Sequence, residues 1–438
     1  MPTPVATRGT HENLVRMTAP RLLGGLSPDG EAVDLRTHRA AYAEPPISRR
    51  GRGDAAIIDA VEAAGLRGRG GAGFPTARKM RTVAGAARPP VVLANGTEGE
   101  PASGKDAVLL SRLPHLVIDG ALWAAAAVGA DRVVIAVDRS NGVAAEAVAH
   151  ALAERERHEP SAVAIEVSWT PPRYVAGEES ALVQFVNKGV AKPTVGAGRP
   201  FQRGIDGRPT LVQNVETLAH VAQIAAWGPD WFRLDGTAGE AGTALYTVTG
   251  AVTRPGIVEA PMGATTMEIL AMAGGPSVPL QAALVGGFFG AWVPTEALWR
   301  SHTRAGLEPY GASPGCGVIV ALPAGACGLS ETARLVAWYS AQSAGQCGPC
   351  VHGLADLAAG CTDLAHGGGP GLVEQLRRWG SMIEGRGGCH HPDGAVRLLR
   401  SAFAVFADDV AAHSAGRPCR ASASVPFIYV PDAAHGWR

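Results

Sequence analysis

The 438-residue chain is 46% apolar and 18% charged, with 57 Gly and 32 Pro, which is more than one ordinary core, too apolar for a disordered chain and unusually rich in loops. Its 39 Lys and Arg balance 39 Asp and Glu, so the long-range field that would gather nucleic acid or anionic lipid is absent. The most apolar stretch, 120–137, is interrupted by Asp131 and Arg132, and the N-terminus MPTPVATRGTHENLVRM lacks the apolar core of a secretory signal, so a cytoplasmic protein that meets a membrane's inner face only through partners is expected.

Residues 1–53 are rich in Pro, Arg and Gly and carry no sustained period, which predicts an extended leader. From 54 to 64, Ile57, Ile58, Val61 and Ala64 recur at helical spacing and run straight into the glycine-dense GLRGRGGAGFPT. Strand-like runs follow at 90–95, 132–138 and 162–169, separated by helical patterns such as 142–157, an α/β signature. Near Thr243 the texture changes. ALYTVTG, the turn TRPG, IVEAP, the helix TMEILAMAGG and the strand GVIVAL predict a small α+β unit over 243–325. Over 326–415 the period is helical, with segments near 331–344, 354–364 and 371–384. A last helix follows, one face of which carries Val396, Leu399, Phe403, Phe406 and Val410, so a four-helix bundle is expected. The tail, 416–438, reads as irregular.

Two stretches carry chemistry. Gly68–Gly73 satisfies G-x-G-x-x-G, in which missing Cβ atoms let backbone N–H groups approach a phosphate. The match follows a helix rather than a strand, so the ordinary dinucleotide context is lost. The seven cysteines are an odd number in a chain without an export signal, which points to reduced thiols or metal ligands. Cys347 and Cys350 form C-x-x-C, and Cys389 stands in GGCHHPDGA; alone these could mean zinc, redox chemistry or nothing.

The longer string GLRGRGGAGFPTARK at 65–79 resembles the flavin loop of the FMN- and NADH-binding, 51 kDa-type flavoprotein subunit of respiratory complex I and related soluble diaphorases. ANGTEGEP at 94–101, YVAGEESAL at 174–182 and GRPTLVQNVETLAHV at 207–221 resemble the same family in the same order, and the likeness extends over roughly 54–412. The resemblance implies a Rossmann-like FMN-binding domain over 54–242, a β-grasp domain of the SLBB type over 243–325 and a four-helix iron–sulfur bundle over 326–415. It places Gly68, Arg69, Gly70, Gly71, Ala72, Lys79, Asn95, Glu98, Gly177, Glu178, Glu179, Gln213 and Asn214 at FMN. Phe74, Glu100 and Phe201 fall to NADH, and Cys347, Cys350 and Cys389 to a [4Fe–4S] cluster. Read singly, Phe74 would be core and the Glu178–Glu179 pair a solvated helix start; the ordered set reverses both readings.

Three departures stand out. Thr97 replaces the family's Asp, Gln213 replaces the first Asn of an Asn pair, and Ala344 stands where the first cluster Cys belongs. A fourth ligand could come from His352, His390, His391 or Cys361, or the corner could stay open to solvent or a partner. Cys316, Cys327 and Cys419 read as packing residues. The function implied is oxidation of NADH or NADPH by hydride transfer to FMN, with single electrons passing to the cluster and then to a quinone- or ferredoxin-type or other iron–sulfur acceptor within a larger redox complex. The competing readings are a catalytically silent structural subunit that keeps the fold without the flavin, and a zinc-binding scaffold.

Overall fold

The computed structural model describes residues 21–27, 29–44, 53–196, 198–423, 425–432 and 436–438. Three of the predicted apolar runs become β1 (Val91–Gly96), β2 (Arg132–Asp138) and β3 (Ala164–Thr170), and a short unpredicted strand, β4 (Thr210–Asn214), completes a parallel sheet of order β3-β2-β1-β4. The first four residues of β1 are buried without alternation, as a strand covered on both faces must be. Helices α1 (Leu35–Ala41), α2 (Ala55–Ala64), α3 (Thr76–Ala84), α4 (Lys105–Arg112), α5 (Pro114–Val128), α6 (Gly142–His158), α7 (Glu179–Lys188) and α8 (Val215–Phe232) supply the cover.

The chain lays β2 and β3 to one side of β1 and then returns to place β4 on the other. A crevice therefore opens at the C-terminal ends of β1 and β4, where ligands settle in open α/β sheets. Register pairs Asn95 with Asn214 at that point.

The expected extended leader is corrected over its described part. Residues 21–27 and 29–44 fold onto the sheet layer, with Leu22 fully buried and α1 set against α5. The cause is electrostatic as well as apolar. Arg39 reaches the buried Asp119 at 2.6 Å, Arg155 binds its other oxygen at 2.6 Å, and His38 stands 2.7 Å away. Burial opposes that charge, yet the His38 and Arg39 hydrogen bonds and Arg155 outweigh it and hold the carboxyl well below its usual range. Residues 1–20 of the leader lie outside the described residues.

The second sheet, of order β6-β5-β9-β7-β8, is built from β5 (Thr243–Gly250), β6 (Gly256–Pro261), β7 (Leu280–Val285), β8 (Ala291–Pro294) and β9 (Val318–Pro323), with α9 (Thr266–Met272) and the single turn α10 (Arg304–Leu307) against it. Three ties fasten it to the first layer: Leu245 N–H to Glu216 at 2.9 Å, Gly104 N–H to the Thr247 hydroxyl at 3.1 Å, and the Arg69 guanidinium to the Thr243 carbonyl at 3.0 Å.

The bundle comprises α11 (Gly328–Ala341), α12 (Leu354–Ala365), α13 (Leu372–Ile383), α14 (His391–Val405) and α15 (Ala407–Ser414). The expected single last helix is therefore two, broken at Phe406, whose ring packs so closely on Gly328 that a Cβ there would overlap it. The tail is irregular but fastened. Phe427 and Ile428 donate backbone N–H bonds to the two oxygens of Glu331, and Ile428 is buried. Among the described residues no single helix is long and apolar enough to cross a membrane.

Candidate functional site

The glycine-dense loop leaves α2 through Gly65 and returns at Phe74, where the Gly68 N–H donates to the Phe74 carbonyl at 2.9 Å and closes the loop. Gly71, at φ 109°, holds a conformation that a side chain would resist. A Cβ on Gly70 would stand 3.2 Å from the Asn214 Cβ, a tight contact that the end of β4 could take only by giving a few tenths of an ångström. The Arg69 N–H donates to Thr217 Oγ1 at 2.8 Å, just past β4. On the far side of β1, Asn95 Nδ2 donates to the Gly177 carbonyl at 2.9 Å, and Lys79 forms a 2.6 Å ion pair with Glu179. Four segments scattered through 68–217 thus meet at the crevice between β1 and β4.

A cavity of about 270 Å³ borders the loop, walled by Gly68, Arg69, Gly71, Glu216, Tyr246 and Cys316 among others. Cys316 is thereby corrected from a packing residue to a cavity wall, its thiol pushed well above its usual value by burial and by Glu100 nearby. The Ala72 carbonyl accepts from Arg304 at 3.2 Å. Phe74 is 46% exposed, with the Arg78 guanidinium 5.7 Å from its ring centre, and so stands free as a stacking surface. Phe201 is half-buried against the main core and does not line the cavity.

Three acidic residues divide their labour. Both oxygens of Glu98 are engaged, one by Asp106 N–H and the Ser103 hydroxyl and the other by Ala107 N–H, so its carboxylate closes the N-terminus of α4, at the cost of a positive φ of 40°. Glu178 likewise caps α7 through Ser180 and Ala181. Glu100 instead reaches across to the second sheet, where the Phe288 N–H donates to it at 2.9 Å. Burial pushes its carboxyl up to about 8 while the Ala102, Phe288 and Phe289 N–H groups pull it down.

Thr97 fills the family's Asp position without disturbing its neighbour. Its hydroxyl donates to Asn95 Oδ1 at 2.7 Å, which turns the Asn95 amide toward Gly177. A Cβ on Gly177 would lie 2.7 Å from that hydroxyl. Beneath lies a network the sequence did not announce. Lys105, 1% exposed, pairs with Asp106 at 2.6 Å and Glu216 at 2.9 Å, and Asn214 Nδ2 donates to Asp106 at 2.7 Å. Burial opposes the Glu216 charge, but Lys105 and His220 outweigh it and leave its carboxyl at about 2. Two adjacent charged letters ahead of an apolar helix read as a solvated turn; only the sheet-end geometry shows them buried.

The donors at this site suit FMN. Arg69 Nε and Gln213 Nε2 are buried with no hydrogen-bond partner among the described residues, and the close approach at Gly177 is one a Cβ would block. Unsatisfied donors call for an acceptor-rich guest such as a flavin phosphate or an isoalloxazine carbonyl.

Cys347 and Cys350 sit in the turn before α12, where the Cys350 N–H donates to the Cys347 carbonyl at 3.0 Å. Burial pushes the Cys389 thiol up to about 11 against the pull of the His391 N–H, and Cys350, Glu178 and Cys347, all within electrostatic reach, add to the rise. Three thiols within electrostatic reach of one another suit an iron–sulfur cluster. Ala344 is buried, and the neighbouring Ser343 hydroxyl donates to the Cys350 carbonyl at 3.5 Å, a contact no motif disclosed. Of the other candidates, His352 is exposed, His390 is exposed and bonded to Asp393, and Cys361 is buried in the bundle core. His391 donates through Nε2 to the Tyr339 carbonyl at 2.9 Å, and its buried Nδ1 has no partner among the described residues.

Three family models match the chain: the Nuo51 FMN-binding domain over 61–223, the SLBB domain over 245–286 and the NADH-ubiquinone oxidoreductase-F iron–sulfur binding region over 330–413. The F 2 subunit of NADH-quinone oxidoreductase in Rhizobium meliloti (strain 1021) is 30% identical over 377 residues, covering 83% of this chain and 90% of its own. The F subunit of the same enzyme in Mycobacterium tuberculosis (strain ATCC 25618 / H37Rv) is 32% identical over 380 residues, with 83% and 85% covered. Its counterpart in Escherichia coli (strain K12) is 32% identical over 376, with 81% and 83% covered. Among solved structures, a chain of the NAD+-reducing [NiFe]-hydrogenase in the H2-reduced state superposes with a TM-score of 0.77 at 30% identity, over 87% of this chain and 67% of that one.

Proposed function

From the premise that this chain belongs to the family of NADH-quinone oxidoreductase F subunits, we propose a role for each residue at the crevice and the cysteine cluster. The protein is an NADH-oxidising flavoprotein that works within a larger redox complex. FMN held here would supply the conversion of two-electron hydride chemistry to single-electron transfer.

The chain's own part is orientation and electrostatics. The backbone N–H groups of Gly70, Gly71 and Ala72 hold the phosphate in the room the glycines leave, while Gly68 and Arg69, whose N–H groups are taken by Phe74 and Thr217, shape the loop and line the cavity. Lys79 and Glu179 close one rim as an ion pair, Asn95 and Gly177 brace each other and Asn214 is held by Asp106 to shape the wall, and Gln213, whose Nε2 has no partner among the described residues, presents its amide to the ring edge. Glu98 and Glu178 act indirectly, each fixing a helix start beside the ring. Phe74 offers its exposed face to the nucleotide, and Glu100 takes up the approach behind it. Phe201, packed on the core, supports the adjoining loop. Cys347, Cys350 and Cys389 are the cluster thiolates, with the fourth corner left to a non-cysteine ligand by Ala344. The chain lies on the cytoplasmic side and meets the membrane through partner subunits, one of which carries the acceptor cluster.

The single observation supporting this reading is the convergence of the loop, Asn95, Gly177, Glu179 and Asn214 at the sheet's switch point. The test is flavin quantitation in Asn95→Ala, Lys79→Ala and Glu179→Ala proteins. Each should lose most of its FMN while keeping its circular dichroism, and full retention in all three would refute the assignment.

A further inference from the structure

Outside the cluster region, the thiols of Cys327 and Cys419 and one ring nitrogen of His413 lie within 4.8 Å of one another. They come from three separate places. Cys327 caps the N-terminus of α11, His413 ends α15, and Cys419 stands in the tail. His413 is fully buried, and its Nδ1 lies 3.2 Å from the Leu364 carbonyl, which places the proton on Nδ1 and leaves a lone pair on Nε2. A backbone carbonyl holding the far nitrogen in this way is how metal-bound imidazoles are oriented. Nε2 stands 3.9 Å from Cys327 Sγ and accepts the Cys419 N–H at 3.0 Å, a hydrogen bond that a bound ion would replace. A tetrahedral centre with metal–sulfur bonds of about 2.3 Å and a metal–nitrogen bond of about 2.0 Å has a sulfur–nitrogen edge of roughly 3.5 Å, so the Cys327–His413 edge needs a shift of only a few tenths of an ångström and the Cys419 thiol at most about 1 Å. Cys327 Sγ also accepts the Ser330 N–H at 3.4 Å, which fixes the side chain at the start of the 14-residue α11.

We propose that Cys327, His413 and Cys419 bind one zinc ion, which fastens the C-terminal tail to the bundle. Two thiolates and an imidazole are the donor set of a borderline-soft cation without redox demands, and the half-exposed Cys419 side leaves the fourth position to water. This centre is distinct from the cluster. Cys327 precedes α11 and Cys347 follows it, and 14 helical residues span about 20 Å. The ion works beside Glu331, which already holds Phe427 and Ile428, so the tail is fixed at two points on one end of the bundle.

The test is metal analysis of the full protein purified under reducing conditions. One zinc per chain should survive gel filtration and fall at least tenfold in a Cys327→Ser/Cys419→Ser protein, with iron and flavin unchanged. Cys389→Ser should show the reverse, losing iron and keeping zinc. Should the double variant fail to fold, wild-type protein stripped of zinc by a chelator and titrated with zinc against a chromophoric competitor gives the answer alone, with one equivalent expected. Absence of stoichiometric uptake, uptake that persists in the double variant, or a Cys327–Cys419 disulfide recovered from the reduced protein overturns the proposal.

Discussion

Replacing Lys105 by Met removes the cation paired with both Asp106 and Glu216, which are 5% and 0% exposed. Breaking one side of a buried ion pair costs about 3–5 kcal/mol because the surviving charge is left desolvated. Two carboxylates survive here, but Asn214 still donates to Asp106 and the Leu245 N–H to Glu216, so the same range of about 3–5 kcal/mol is expected rather than twice it. The deficit must depend on pH in a defined direction. In the wild type the Glu216 carboxyl sits at about 2, below its ordinary 4.5, so its contribution is present above 4.5 and is lost only as pH falls through the folded value. Without Lys105 burial raises that carboxyl instead, and the variant recovers stability by taking up a proton. Urea denaturation at about pH 7.5 and about pH 5, in both proteins, reads the difference. A deficit below about 1 kcal/mol, or one equal at the two pH values, would refute the assignment of Lys105 as the charge that holds this floor together.

Three further outcomes follow from the geometry. Gly177→Ala forces a Cβ to within 2.7 Å of the Thr97 hydroxyl and should lose flavin and about 1–3 kcal/mol of stability; a Thr97→Ala/Gly177→Ala protein, freed of the clash, should recover much of the stability, and an equal loss in both would contradict the steric argument. Because Glu100 is pushed up to about 8 from 4.5, the folded protein holds an extra proton across that window, and flavin-free protein should lose stability as pH rises from 4.5 to 8. Glu100→Gln should weaken NADH binding and make that decline shallower in thermal melts, and an unchanged slope would count against the buried carboxyl. Cys389→Ser should abolish iron and sulfide while sparing FMN, and Ala344→Cys should slow iron loss to a chelator; equal loss rates with and without the added thiol would show that the corner at 344 does not face the cluster.

The strands β1 and β2 were legible because each is a continuous apolar run bounded by turns, the pattern of a strand buried on both faces, and the edge strand β3 because Ile165, Val167 and Trp169 alternate with Glu166 and Ser168. β4 was not, since Thr210–Asn214 holds only Leu211 and Val212 as apolar residues and owes its pairing to β1. The last helix misled because Phe406 keeps the apolar period across the break at which its ring turns under Gly328. At the site, the glycine string and the Cys347–Cys350 pair announced themselves locally, in neighbouring letters. Lys105 and Glu216 did not, being charged residues whose burial depends on two strand ends meeting. Cys327 and His413, 86 residues apart, offered no spacing to read. The resemblance assigned Glu98 and Glu178 to the flavin, but their carboxylates cap α4 and α7, which no string could reveal.

Electron entry through a bound flavin is tested most directly by anaerobic titration of the purified protein with NADH, following the visible flavin band alongside FMN, iron and sulfide quantitation. Stoichiometric FMN that NADH bleaches is the predicted result. Correctly folded protein that neither carries FMN nor takes it up on reconstitution, or whose flavin NADH leaves oxidised, would contradict the account.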